Sequence, residues 1–235
     1  APADLAQAML AARARVMSQN SVEALRAWTQ DSKATSEQAT AAQKAGALYA
    51  ATLAHLQLRD TAAAERHLQA LSALTANTPE AKRLVTLLKA EVAAKQERFG
   101  LALQVLETLN NSKPLQRPEL MATAEALLRL PPHPARTSIT QQLREQVIQA
   151  PHDAQAWNTL ASMLALQGQT LPSLRAEGEA QMARMDWPGA VDRFRAAQDW
   201  AKNNRLQAGD HIEASIVDTR LRQVQALVRE SQTER

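Results

Sequence analysis

Tiny side chains recur along this chain at the points where one helical segment must cross the next, and no other feature restricts the fold as tightly. The clearest instance is "AEGEAQMARMDWPGAVDRFRAAQDWAKNN", Ala176 to Asn204. Two helical patterns meet there at an Asp186-Trp187-Pro188-Gly189 turn, with Gly178 on one side and Ala190 and Ala197 on the other. Phe194 follows Ala190 by four residues, so the two share a helix face one turn apart. Antiparallel helices approach closely only where side chains are small, and a large residue one turn on fills the adjacent gap. The spacing predicts packed helix hairpins.

The rest of the chain agrees. Ala, Leu, Gln, Arg and Glu dominate, which lose little on entering a helix, and aromatics make up only 3%. No alternating Val, Ile, Thr or Tyr run reads as a strand. The fold class is all-α. Caps and breakers predict helices at 3–18, 21–32, 36–58, 61–74, 79–96, 99–109, 117–129, 137–149, 153–167, 171–185, 188–202 and 208–230. Only "NNSKPLQRP" (Asn110–Pro118) and "PPHPART" (Pro131–Thr137) read as true loops. The other connections are short enough to force antiparallel neighbours.

A period follows from the small positions. Starting a helix pair at Ala154 puts Trp157, Leu160, Ala161 and Leu164 where the tetratricopeptide repeat (TPR), a pair of about 34 residues, places its large, Leu and small residues. One repeat earlier, Leu143 and Pro151 fall in register. A start at Leu171 aligns Gly178, Ala190, Phe194 and Ala197; Ala45 as start aligns Leu48, Ala64, Leu68 and Leu71; Arg83 aligns Ala90, Ala102, Leu106 and Leu109. The half-period offset between Ala154 and Leu171 implies one helix shared by two pairs, as continuous stacking requires. Lys89 and Glu177 stand where Leu is expected, and Thr137–Gln149 matches poorly.

The expected architecture is one TPR-like α-solenoid over 1–235: N-terminal helices to 44, repeats over 45–109, a loop-rich joint over 110–136, repeats over 137–204 and a long capping helix over 205–235. In that last helix Asp210 and Glu213 form a capping-box-like pair. Ile212, Ile216, Leu221, Val224 and Val228 make its apolar stripe, and Arg220, Arg222 and Arg229 stay wet.

Chemistry is thinly represented. The 27 basic and 24 acidic residues are interspersed, which argues against a nucleic-acid surface, and no run is apolar enough to enter a membrane. Cysteine is absent. None of His55, His67, His133, His152 and His211 forms His-Glu-x-x-His, which would set two imidazoles one turn apart beside a general base. Six scattered glycines build no phosphate loop, and no nucleophile elbow occurs. No catalytic, cofactor-binding or metal-ligating residue is assigned. Trp157 fills a packing position, Trp28 and Trp200 read as core residues or wedges between helices, and Trp187 reads as a staple folded back from its turn or, alternatively, as an exposed contact residue.

What such a stack offers is its inner wall. The groove-facing positions of the front helices fall on Tyr49, Leu53 and Gln57, on Glu91 and Lys95, on Asn158 and Ser162, and on Arg175 and Glu179. Amide, hydroxyl and both charges together suit an extended protein segment.

The C-terminal third, from "AWNTLASMLALQGQTLPSLRAEGEAQMARMDWPGAVDRFRAAQDWAKNN" to "DHIEASIVDTRLRQVQALVRE" with Ile212, Val217, Asp218, Arg220 and Leu221, resembles the TPR region of bacterial periplasmic zinc metalloproteases of the beta-barrel assembly-enhancing kind. The opening "AQAMLAARARVMSQNSVEALRAW" is similar to the segment that follows the protease domain in that family. The resemblance implies a periplasmic location and zinc held by a catalytic domain outside this chain. It also implies a non-catalytic role here, engaging outer-membrane assembly components, client proteins or the protease domain itself. The alternative is a stand-alone TPR scaffold or regulator with no protease attached.

Overall fold

In the computed structural model, which describes residues 4–109 and 114–233, all regular structure among the described residues is helical. The chain forms two compact units, Ala1–Lys113 and Pro114–Arg235. Of the expected loop at Asn110–Pro118, residues 110–113 lie outside the described residues, as do the first residue of the helix expected at 3–18 and the chain end at 234–235.

The first unit runs α1 (Leu5–Ser18), α2 (Val22–Thr29), a 3-10 turn (Ser32–Ala34), α3 (Ala41–Gln57), α4 (Thr61–Thr75), α5 (Pro79–Lys95) and α6 (Phe99–Glu107). Four of these helices open on a side chain that accepts from a first-turn amide: Asp4, Ser21, Thr40 and Asp60. Such caps stabilise a helix by about 1 kcal/mol each. At Thr40 the cap is reciprocal, because Gln43 reaches back to the Thr40 N–H. That box starts α3 at Ala41 rather than at the expected 36, and the 3-10 turn ends α2 early. Helix α3 is the axis of the unit: every residue from Ala45 to Ala54 is buried. Helices α1, α2 and α4 pack on it, α5 pairs with α4 and α6, and α1 also reaches α5. Where α1 crosses α3, a Cβ on Gly46 would stand 3.3 Å from the Ala8 carbonyl oxygen, so glycine permits the backbones to meet.

The second unit runs α7 (Arg117–Arg129), α8 (Ala135–Gln149), α9 (Ala154–Leu166), α10 (Thr170–Ala183), α11 (Trp187–Asn203) and α12 (Asp210–Thr233). Each helix packs on the next, α7 also meets α9, and α10 also meets α12. Gly178, Ala190, Phe194 and Ala197 are all interior. A Cβ on Gly178 would lie 2.5 Å from Phe194 Cε1, so the absent side chain is the seat of the ring. Helix α8 begins at Ala135, shortening the expected second loop. Arg136 explains why: its guanidinium donates to the carbonyl oxygens of Leu127 and Leu130 at the end of α7, at 3.0 and 2.6 Å. The poorly matching stretch 137–149 is a regular helix burying Ile139, Thr140, Leu143 and Val147.

One turn geometry joins α3 to α4, α5 to α6, α9 to α10 and α10 to α11. In each, a residue with positive φ ends the helix: Arg59 (63°), Glu97 (59°), Gly168 (71°) and Met185 (61°). The next N–H reaches back to the carbonyl five residues earlier, as in Asp60 to His55 and Asp186 to Gln181. The same turn at both ends of α10 fits its expected place in two successive pairs. Helix pairs packing in chain order, as in an α-solenoid, are what the structure establishes.

Two details of α12 depart from expectation. Asp210 accepts from the Gln207 N–H and Glu213 pairs with Arg175, so they do not form the reciprocal box. The buried stripe is Val217, Leu221 and Val224, while Ile212 is 68% exposed.

Candidate functional site

The nine groove positions divide into those a partner can reach and those the chain already uses. In α3, Tyr49 and Leu53 are interior, at 3% and 2% exposure, and are corrected here from groove to core. The reason is α1, which lies over α3 and reaches α5. From it Arg13 Nη1 donates to Glu91 Oε2 at 2.8 Å and to the Tyr49 hydroxyl at 3.3 Å. Burial alone would depress the Arg13 pKa, but the Glu91 carboxylate holds it above the ordinary value. Burial likewise pushes the Tyr49 hydroxyl up, against the pull of Arg13. Gln57 is exposed and its Nε2 lies 3.7 Å from Met17 Sδ of α1; Lys95 is exposed.

In the second unit Glu179 is likewise interior, while Arg175 is half-buried and already paired within the chain. Glu179 is 6% exposed and accepts both branches of Arg220 from α12, at 2.8 and 2.6 Å. Arg175 donates to Glu213 of α12 at 3.2 Å, stands 3.8 Å from Glu179, and lies 5.9 Å over the Trp157 ring. Charges alternate along Glu213, Arg175, Glu179 and Arg220, so the cluster is neutral and tied to α12. Arg220, expected to be wet, is part of that tie. Asn158 is half-buried, and Ser162 is exposed with its hydroxyl donating to the Asn158 carbonyl at 3.1 Å.

The tryptophans follow their packing readings. Trp157 is buried, with its indole N–H on the Pro151 carbonyl at 3.0 Å. Trp187 and Trp200 pack half-buried against the α10–α12 core, and Trp28 against the core of the first unit. His55 and His67 lie with ring centroids 5.0 Å apart, across the turn between α3 and α4. Among the described residues no three His, Asp or Glu side chains converge as metal ligands. No described helix is long and apolar enough to cross a membrane.

Arg13, Glu213 and Arg220 are the polar residues that reading by repeat position missed. Their signal was faint: Arg13 stands, with Arg15, in a helix otherwise rich in Ala, Leu and Met and without any acidic residue, so its partner had to come from another helix. Neither a scan of protein-family models nor a search of curated proteins matches this chain. The fold class is thus an all-helical, solenoid-like stack, and its front helices define the candidate surface.

Proposed function

We propose that this chain is a non-catalytic, TPR-like protein-interaction module of a periplasmic zinc metalloprotease, holding outer-membrane assembly components or client segments for a catalytic domain outside it. The observation that carries the interaction reading is the sequential packing of helix pairs, an arrangement that builds extended binding surfaces instead of an enclosed site. Supporting it, Gln57, Lys95 and Ser162 stay exposed and Asn158 half-exposed, offering amide, ammonium and hydroxyl groups to an extended backbone. Attachment to a protease rests on the resemblance of the two ends of the chain.

Each part has its own test. The gene upstream of the Ala1 codon should encode a secretory signal and His-Glu-x-x-His; their absence would leave a free-standing scaffold. For the surface, photocrosslinkers at Lys95 in the first unit and at Ser162 in the second should each capture polypeptides from periplasmic extract, and Lys95→Glu or Asn158→Arg should weaken capture at its own unit without moving the melting temperature. Capture indifferent to these changes sinks the surface assignment.

A further inference from the structure

The two histidines of the first unit meet at the turn that joins α3 to α4. His55 stands in the last turn of α3 and His67 in the second turn of α4. Their ring centroids lie 5.0 Å apart with the planes tilted by 31°. The other three, His133, His152 and His211, all belong to the second unit. Spacing in the sequence hides the pair, because a chain reversal separates its members.

Each ring is oriented through its Nδ1. His67 Nδ1 lies 2.8 Å from the Ala63 carbonyl oxygen, which can only accept, so this nitrogen carries the proton. His55 Nδ1 faces Asp60 Oδ2 at 3.4 Å, and the carboxylate draws the proton to the same position. Both rings therefore keep the lone pair on Nε2. The orienting oxygens are themselves fixed. Asp60 Oδ1 caps α4 by accepting from the Ala63 N–H at 3.0 Å, and the Asp60 N–H returns to the His55 carbonyl at 2.9 Å. A histidine whose far N–H is held by a carbonyl or carboxylate is oriented as metal-ligating imidazoles are. Burial, and then the His67 ring, hold the His55 pKa below its ordinary 6.5, so its lone pair carries no proton at neutral pH.

The separation fits as well. An imidazole nitrogen bound at roughly 2.0–2.1 Å sets its ring centre about 3.2 Å from the ion, and two such rings at a tetrahedral angle stand about 5 Å apart. We infer that Nε2 of His55 and Nε2 of His67 form a two-histidine site for a late first-row divalent ion, zinc(II), nickel(II) or copper(II), with Asp60 and the Ala63 carbonyl as positioning groups. Imidazole selects these ions over magnesium and calcium, which take oxygen ligands. Two protein ligands clamp α3 to α4 and leave the remaining positions to water. Arg66 opposes the charge of the ion, and the Asp60 carboxylate answers it.

The probe is zinc chloride titrated into the full chain at neutral pH, read in histidine proton–nitrogen correlation spectra. Nε2 of His55 and of His67 should shift together as one ion is taken up, and magnesium should shift neither. His67→Gln, at a half-buried position, should weaken zinc more than about ten-fold, and Asp60→Asn, which keeps a capping side chain, about ten-fold. Zinc should also raise the melting temperature of the parent chain but not that of His67→Gln, a second readout if His55→Gln folds poorly. A shift of His67 without His55 overturns the inference, as does zinc affinity unchanged in His67→Gln. Equal uptake at His133, His152 or His211 would reduce the pair to a packing contact and overturn it too.

Discussion

The two units use glycine for different ends at their tightest crossings. In the first, Gly46 lets α1 and α3 meet backbone to backbone, with the Ala8 carbonyl oxygen as the near neighbour. In the second, Gly178 makes no such contact; it leaves a hollow on α10 that the Phe194 ring of α11 fills. A small residue in a helical pattern thus marks either a close approach or the seat of a large partner. The sequence distinguishes them only where the large residue is in view. Phe194 is; the α1 backbone over Gly46 is not.

The contrast is sharpest in the effect of adding atoms. Phe194→Ala should be the most damaging single change, costing about 3–5 kcal/mol in chemical denaturation because it empties a fully buried ring site. Gly178→Ala should cost about 1–3 kcal/mol, since its new methyl overlaps a ring with no room to swing. Phe194→Leu should rescue part of that loss in the double variant. Gly46→Ala should cost less, about 1 kcal/mol, by lifting α1 a few tenths of an ångström. If Phe194→Leu rescues Gly46→Ala as well as it rescues Gly178→Ala, the two glycines do not do different jobs.

Both units also tie a terminal helix to a front helix through arginine, with unequal burial. Glu179 is nearly inaccessible between Arg175 and Arg220, whereas Arg13 and Glu91 each keep about a third of their side-chain surface in water. Glu179→Gln should therefore cost about 1–3 kcal/mol, because two guanidinium groups lose their shared carboxylate. Arg13→Met should cost at most about 1 kcal/mol and become neutral in high salt. Equal losses from urea titrations of the two variants would erase the distinction.

These ties also show where sequence reading stops. Helix positions, short turns and the small-residue register were legible because each is a local pattern of capping, periodicity and breakers. Tyr49, Leu53, Arg175 and Glu179 were read as groove residues because repeat geometry assigns them a face. Whether that face is open depends on α1 and α12, and the deciding contacts, Arg13 to Glu91 and Arg220 to Glu179, join residues remote in sequence. The start of α3 was missed for a local reason: the Thr40–Gln43 box overrides an otherwise helical run from 36.

Acid should reach the units in sequence. In the first, burial, the neighbouring His67 ring and Arg66 hold the His55 pKa below its ordinary 6.5, against the opposing pull of Asp60. A depressed histidine favours the neutral form in the fold, so the unfolded chain takes up the proton first. Stability from His55 is whole above about pH 6.5 and drains as pH falls from there toward the folded value. In the second unit the hydrogen bond from Arg117 depresses Asp153 below its ordinary 3.8. That contribution is whole above the ordinary value and lost only below it. Between pH 7 and 5 the protection factors of α3 and α4 amides, corrected for the intrinsic pH dependence of exchange, should fall while those of α7–α9 hold, and His55→Gln should flatten the first response. Simultaneous loosening of both sets would contradict the assignment.

The smallest effects belong to the shared turn, where the units differ only in the residue holding positive φ. Arg59 and Glu97 in the first and Met185 in the second carry a Cβ into a conformation that costs an L-residue about 1 kcal/mol; Gly168 does not. Arg59 and Glu97 are exposed and Met185 is 74% exposed, so replacing any of them with glycine sacrifices little packing. Each substitution should raise stability by up to about 1 kcal/mol, less the extra freedom glycine gives the unfolded chain. Gly168→Ala is the matching control, because a Cβ there meets nothing within 4 Å and any loss reports the backbone alone. Were Gly168→Ala silent in thermal denaturation while Met185→Gly destabilised, the positive φ would not be the constraint on these turns, and the exposed Met185 side chain would have a contact role instead.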